Sequence, residues 1–407
     1  MRLTFAAFFC LYVLLFCQGF AQLNNSAFTF YDTLQPAHEN RLNLSVHSFS
    51  FFKNNEYFND IVPGYTLFGY QLHPELTYQP SAHMKLRAGV FAWKDFGNPS
   101  YTSFEPTFSL KYQKDSFALI FGTLEGALTH QLIEPLLDFE RIINKRQENG
   151  LQFLYNKKRI RADLWVDWLR MIYKDSPFQE EISVGFSGAF TWVRKNNFVL
   201  ESPLQIQIFH RGGQIGQYAN NLTNWFNGAL GISSQHLLGS STNIRKIRMD
   251  AYATWFQDFS SRKVNIYAYG SGLYLNMSLE SKWLEIMASY WQANRFRSWQ
   301  GGNLYQSVAV FPPRISIAPP DPDEKPEKPN PRVLAQPADT LPYHETDREL
   351  LIIRLMKDFK IMNGLVFTLR IEPVYNLPMG TFEFSHGFYI TYRQNFLLKK
   401  VKPLESD

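Results

Sequence analysis

After its first 21 residues the sequence settles into a rhythm of alternating segments, joined by connections that are short and long in turn. In residues 181–194, EISVGFSGAFTWVR, the side chains of Ile182, Val184, Phe186, Phe190 and Trp192 share one face. Ser183, Gly185, Ser187 and Thr191 share the other. Side chains alternate across a strand, so each such segment is a strand with one greasy and one polar face. The pattern returns at 160–169, 244–256 and 365–372, where Asp163, Asp167, Arg248, Asp250, Arg370 and Glu372 occupy the polar face. Charges in mid-strand are costly against lipid and tolerable against a watery lumen.

Sixteen strands are expected, the first near 41–52 and the last near 381–397. Connections such as Lys157–Lys158, Lys195–Asn196 and Lys360–Asn363 are short, and Asn363-Gly364 is a strong hairpin signal. The links at 53–64, 94–103, 123–149, 170–180, 210–221 and 294–347 are long, whereas those near 257–262 and 377–380 break the trend. Short turns on one side and long loops on the other predict an all-β fold: a closed antiparallel transmembrane barrel of about 16 strands, with periplasmic turns and external loops. The expected organisation is a signal peptide at 1–21, an N-terminal periplasmic segment at 22–40, the barrel at 41–398 and a tail at 399–407. Arg2, the apolar run Leu3–Phe16 and the small residues Gly19 and Ala21 carry the signal reading.

Both cysteines, Cys10 and Cys17, precede residue 22, which removes disulfides, thiol nucleophiles and Cys-rich metal sites from the remaining chain. A formal net charge of +5 over 407 residues gives nucleic-acid binding no electrostatic support. No stretch after residue 21 resembles a transmembrane helix, and a membrane-spanning chain without one must be a closed barrel.

On these grounds the chain resembles the sixteen-stranded outer-membrane porins of Gram-negative bacteria, by architecture over nearly all of its length beyond the signal. The resemblance implies a channel in the cell outer membrane for diffusion of small hydrophilic solutes. Its partners would be outer-membrane lipid, lipopolysaccharide and the barrel-assembly machinery, with a homo-oligomer compatible and no cofactor or metal expected. It also implies that the third external loop, 123–149, narrows the pore. Within that loop a helix is expected from Thr129 to about Gln147, with Leu132, Ile133, Leu136, Leu137, Phe139, Ile142 and Ile143 on an apolar face. Glu134, Asp138, Glu140, Arg141, Lys145 and Arg146 would be its solvated constriction residues. The chain departs from the porin pattern in running past its last aromatic strand residues to Asp407.

Projecting the alternation makes Lys85, Arg87, Lys111, Arg161, Asp163, Asp167, Arg248, Asp250, Glu285, Arg354, Arg370 and Glu372 pore-lining candidates. Their mixed signs predict little ion selectivity. Trp165 and Tyr252 fall on the same face and could stack on sugars or pack the wall. His210-Arg211-Gly212-Gly213-Gln214 ends a strand and opens an external loop, where His and Arg could touch an anionic solute or lipopolysaccharide or form an ordinary loop corner. Ser385 and His386 are neighbours and point to opposite faces of a strand, so they cannot act as a pair. With no other catalytic spacing in sight, the sequence reads as a non-enzyme. The proline-rich stretch 312–342 supports an alternative, a barrel serving surface interaction or adhesion.

Overall fold

The computed structural model describes residues 23, 25–213, 215, 222–238, 243–263, 265–309 and 342–401. The signal segment, most of the proline-rich stretch, Gln214 and the end of the tail lie outside the described residues.

The chain forms sixteen antiparallel strands. They are β1 (Arg41–Phe58), β2 (Pro63–Ser81), β3 (Met84–Asp95), β4 (Ser103–Lys114), β5 (Phe117–Thr123), β6 (Asn149–Lys157), β7 (Ile160–Arg170) and β8 (Glu180–Lys195). There follow β9 (Phe198–Gly212), β10 (Thr223–Leu237), β11 (Ile244–Asp258), β12 (Tyr269–Ser281), β13 (Glu285–Asn294), β14 (Asp347–Met362), β15 (Leu365–Asn376) and β16 (Thr381–Lys400). Each strand pairs with its neighbours in sequence, and β1 closes on β16 from Arg41–Lys400 to Glu56–Phe384. Closure leaves no unpaired edge, which is what lets a sheet cross lipid. At the expected Asn363-Gly364 turn, Gly364 takes φ +79° and a Cβ there would sit 2.1 Å from the Arg393 carbonyl oxygen, so glycine is required.

The alternation sorts the wall into two faces. Phe68, Leu72 and Leu76 of β2, Phe104 and Phe108 of β4, and Phe117, Leu119 and Phe121 of β5 are exposed on the outside. Gln71, Glu75, Thr77 and Gln79 of β2 and Asp250, Thr254 and Asp258 of β11 are buried on the inside. An apolar exterior over a polar interior is the pattern of an outer-membrane barrel. β1 extends six residues beyond its expected end at 52. Lys53-Asn54-Asn55-Glu56 continues the alternation, with Lys53 and Asn55 turned in and Asn54 and Glu56 turned out.

The interior is filled. The connection between β5 and β6 folds into the barrel, as does 294–309 after β13. Leu132, Ile133, Leu136, Leu137, Ile142 and Ile143 are all buried there, with Phe296, Leu304 and Tyr305 from the second segment. Leu23, Phe28 and Asp32, ahead of β1, are also buried inside on the short-turn side. Phe28 packs edge-on against Phe139 at 5.3 Å and Tyr389 at 5.2 Å.

The expected helix over 129–147 is not there. A 3-10 turn spans Ala127–His130 and a single α-helical turn spans Arg141–Asn144. Gln131 breaks the first with φ +56°, and Pro135 cannot donate within a helix. Inside a filled barrel the segment is buried on every side, so its spacing of apolar residues does not mark a helical face.

Candidate functional site

The twelve pore-lining candidates share the inward parity of their strands, and most are spoken for. Lys85 and Arg87 meet Asp32 of the N-terminal segment. Lys111 holds Glu125 at 2.6 Å. Asp167 accepts the Asn149 amide at 2.9 Å. Arg248 pairs with Asp250 at 3.2 Å, apart from the other groups. Arg161 and Glu285 are half-buried.

Arg354 and Arg370 form the centre of a buried network. Glu372 accepts from Arg354 at 2.8 Å and from Arg370 at 2.7 Å. Glu134, 220 residues from Arg354 in sequence, reaches across to both arginines, and Tyr305 donates to it at 2.8 Å. Nearby, Glu140 takes Lys53 at 2.7 Å, Asn55 at 2.8 Å and Tyr65 at 2.5 Å. Asp138 accepts the Glu140 amide at 3.0 Å and Arg141 approaches Glu148 at 3.4 Å. The sequence pattern predicts solvated constriction charges, and the structure wholly or partly buries most of them. Of the six, Lys145 alone is exposed; the wall supplies cations to Glu134 and Glu140.

A second anchor is His130, wholly buried between Asp163 at 2.7 Å and Glu148 at 2.8 Å, and stacked on Trp165 at 3.6 Å. Burial disfavours the charged ring. The two carboxylates outweigh it and hold His130 up at about 10, so the imidazolium persists at neutral pH. Trp165 is thereby covered, and Tyr252 is buried; neither offers a face to a solute. His210 and Arg211 lie at the end of β9. His210 contacts Asn224 at 2.7 Å and Arg211 pairs with Glu181 at 3.0 Å.

A polar group stands on the outward face of the wall at β16, β1 and β2. His386 of β16 lies directly across from Asn54 of β1, which lies directly across from Thr66 of β2. Thr66 donates to Asn54 Oδ1 at 2.7 Å, and Asn54 Nδ2 donates to Glu56 at 2.5 Å. Three phenylalanines ring the imidazole: Phe52, Phe384 and Phe388, each about 6.0 Å away between ring centres. Asn54 is four residues from the outer end of β1, Thr66 three from that of β2, and His386 five from that of β16. With a rise of about 3.4 Å per residue and strands tilted roughly 45°, the patch lies roughly 7–12 Å below the strand ends on the long-loop side. An ionisable group there, amid phenylalanines, is costly and by default functional. Ser385 is fully buried on the opposite face and contacts Glu372, so it takes no part.

A family model described as lipid A 3'-O-deacylase-type matches residues 34–401. The chain belongs to that family. The family's name describes an enzymatic activity, which overturns the reading of the sequence as a non-enzyme. No curated protein matches the chain. Solved structures that resemble it are outer-membrane barrels. OprD of Pseudomonas aeruginosa is 8% identical, with a TM-score of 0.46 over 89% of this chain and 96% of that one. OccAB4 of Acinetobacter baumannii is 10% identical, with a TM-score of 0.46 over 89% and 100%. A loop-deletion form of OmpT of Vibrio cholerae is 8% identical, with a TM-score of 0.47 over 87% and 99%.

Proposed function

We propose that this outer-membrane barrel hydrolyses an acyl ester of a lipid in the outer leaflet, the lipid A 3'-O-ester being the class its family name suggests. The observation that carries the reading is the outward patch of His386, Asn54, Thr66 and Glu56 within an apolar belt. A lipid substrate arrives laterally and never enters the lumen, so the filled interior does not hinder it.

His386 and Thr66 are separated by two inter-strand spacings, roughly 9–10 Å. That is too far for the imidazole to deprotonate the hydroxyl directly. The arrangement suits attack by water instead. His386 takes a proton as the water oxygen bonds to the ester carbonyl carbon. The second N–H of the Asn54 amide, lying alongside, donates to the developing oxyanion, while Thr66 holds Asn54 through its Oδ1. Collapse breaks the carbon–oxygen bond to the sugar, and His386 returns the proton to the leaving alkoxide. The products are a fatty acid and a free hydroxyl. Glu56 orients Asn54.

Purified protein in mixed micelles with lipid A should release fatty acid, and His386→Gln should reduce the rate by roughly 10²–10⁴, the usual contribution of a positioned acid–base. Full activity in that variant would remove His386 from the mechanism.

A second reading, a channel for small hydrophilic solutes, is supported by the charged inward face of the wall. It would require the segment between β5 and β6 to leave the lumen.

A further inference from the structure

A cavity of about 330 Å³ lies inside the barrel, in the half nearer the short turns. Three inward residues form a continuous row across its wall: Arg393 of β16 faces His47 of β1, which faces His73 of β2. Above them Arg146, from the internal segment between β5 and β6, approaches His47 at 3.3 Å.

The carboxylates around this cavity have partners other than Arg146 and Arg393. Glu75 lies 3.5 Å from Arg87 and 3.4 Å from His73, Glu125 holds Lys111 at 2.6 Å, and Asp32 holds Lys85. Among the described residues, Arg146 and Arg393 face no carboxylate within ion-pair distance. Arg393 donates to the backbone carbonyls of Thr29 and Ala27, and its Nε is buried without a hydrogen bond. Arg146 meets Gln71 at 3.5 Å and His47 at 3.3 Å, the long limit of a hydrogen bond. Its burial and the like charge of Arg393 hold Arg146 down at about 9. Two guanidiniums enclosed together without a counter-charge are costly, and an oxyanion with several acceptor atoms relieves the cost.

We infer that this cavity is a binding site for a phosphate group, clamped between Arg146 and Arg393 over the His47–His73 row. Free phosphate fits the space, as does a phosphate monoester carried by a small solute or a lipid headgroup. The guanidiniums supply forked donors matched to adjacent oxygens. The site faces the inside of the wall and is separate from the outward His386 patch. Phosphate binding and ester hydrolysis therefore stand or fall independently.

The test is calorimetric titration of inorganic phosphate into the detergent-solubilised full chain at low salt and pH 7.5. Wild-type protein should bind one equivalent. Arg146→Gln and Arg393→Gln should each weaken binding about tenfold or more, since each removes a charge-assisted contact. Arg146→Lys, which keeps the charge but not the fork, should fall between. Retention of the heat-modifiable folded band on a gel shows that a variant still forms the barrel. A parallel titration with short-chain phosphatidic acid separates the sources: tighter binding of the lipid assigns a headgroup, and tighter binding of inorganic phosphate assigns the free ion. Absence of binding by both probes, or equal binding by the wild type and the double glutamine variant, overturns the inference.

Discussion

Replacing His130 with alanine should release the internal segment from the wall. The side chain is 0% exposed and bridges Asp163 of β7 to Glu148 just before β6. Removing it leaves two carboxylates buried without their shared cation, a loss of about 3–5 kcal/mol for a broken buried pair. The proton affinity gives a matching figure. Raising a histidine from an ordinary 6.5 to about 10 corresponds to about 5 kcal/mol. Both figures describe the same interaction and are not summed. The raised value also fixes the pH dependence. The contribution is complete below the unfolded value near 6.5 and is lost progressively as pH rises toward 10. The barrel itself should survive, because its closed ladder of hydrogen bonds does not run through His130, so opening is local. Hydrogen exchange of residues 124–148 in detergent is the assay. Relative to intrinsic exchange at each pH, wild type should show high protection factors at pH 6 and lower ones by pH 10, while His130→Ala should show low ones at both. Equal protection of the variant and wild type at pH 6 would refute the anchoring role.

Glu134→Gln removes the carboxylate shared by Arg354 and Arg370; trypsin should then cut the segment around Arg141 in folded protein, and resistance equal to wild type would count against the network. Deleting 129–146 should turn a barrel of low single-channel conductance into one with large steps in a planar bilayer, and unchanged conductance would mean that other segments close the lumen. Gly185→Ala would place a Cβ 2.0 Å from the Trp165 ring; the ring cannot yield while His130 lies on it, so the folded barrel should lose about 1–3 kcal/mol in unfolding by denaturant. A variant as stable as wild type would show that the stack is loose.

The barrel was legible because lipid on one side and protein or water on the other impose the same alternation on every strand. Strand number and order followed from it. Two regions misled for physical reasons. Lys53-Asn54-Asn55-Glu56 has the composition of a loop, so β1 was expected to end before it. The outward pair Asn54 and Glu56 was lost with it, although Phe49, Phe51 and Lys53 already set the parity. Between β5 and β6, apolar residues spaced like a helix face turned out to be buried on all sides, with Pro135 and the left-handed Gln131 breaking any long helix. Nor could local sequence show that Glu134 meets Arg370, a partner 236 residues away. In the sequence His386 stands out only as the neighbour of Ser385. Its neighbour on the wall, Asn54, which in turn holds Thr66, comes from the opposite end of the chain and meets it only once the barrel closes.

The most direct test of the proposed activity is the mass spectrum of lipid A from outer membranes of cells that make this chain, set beside cells that make the His386→Gln form at equal levels. The account predicts a species lighter by one ester-linked acyl chain with the wild type and its loss or near loss with the variant. The same lipid A profile in both, whether acylated in full or deacylated, would contradict it.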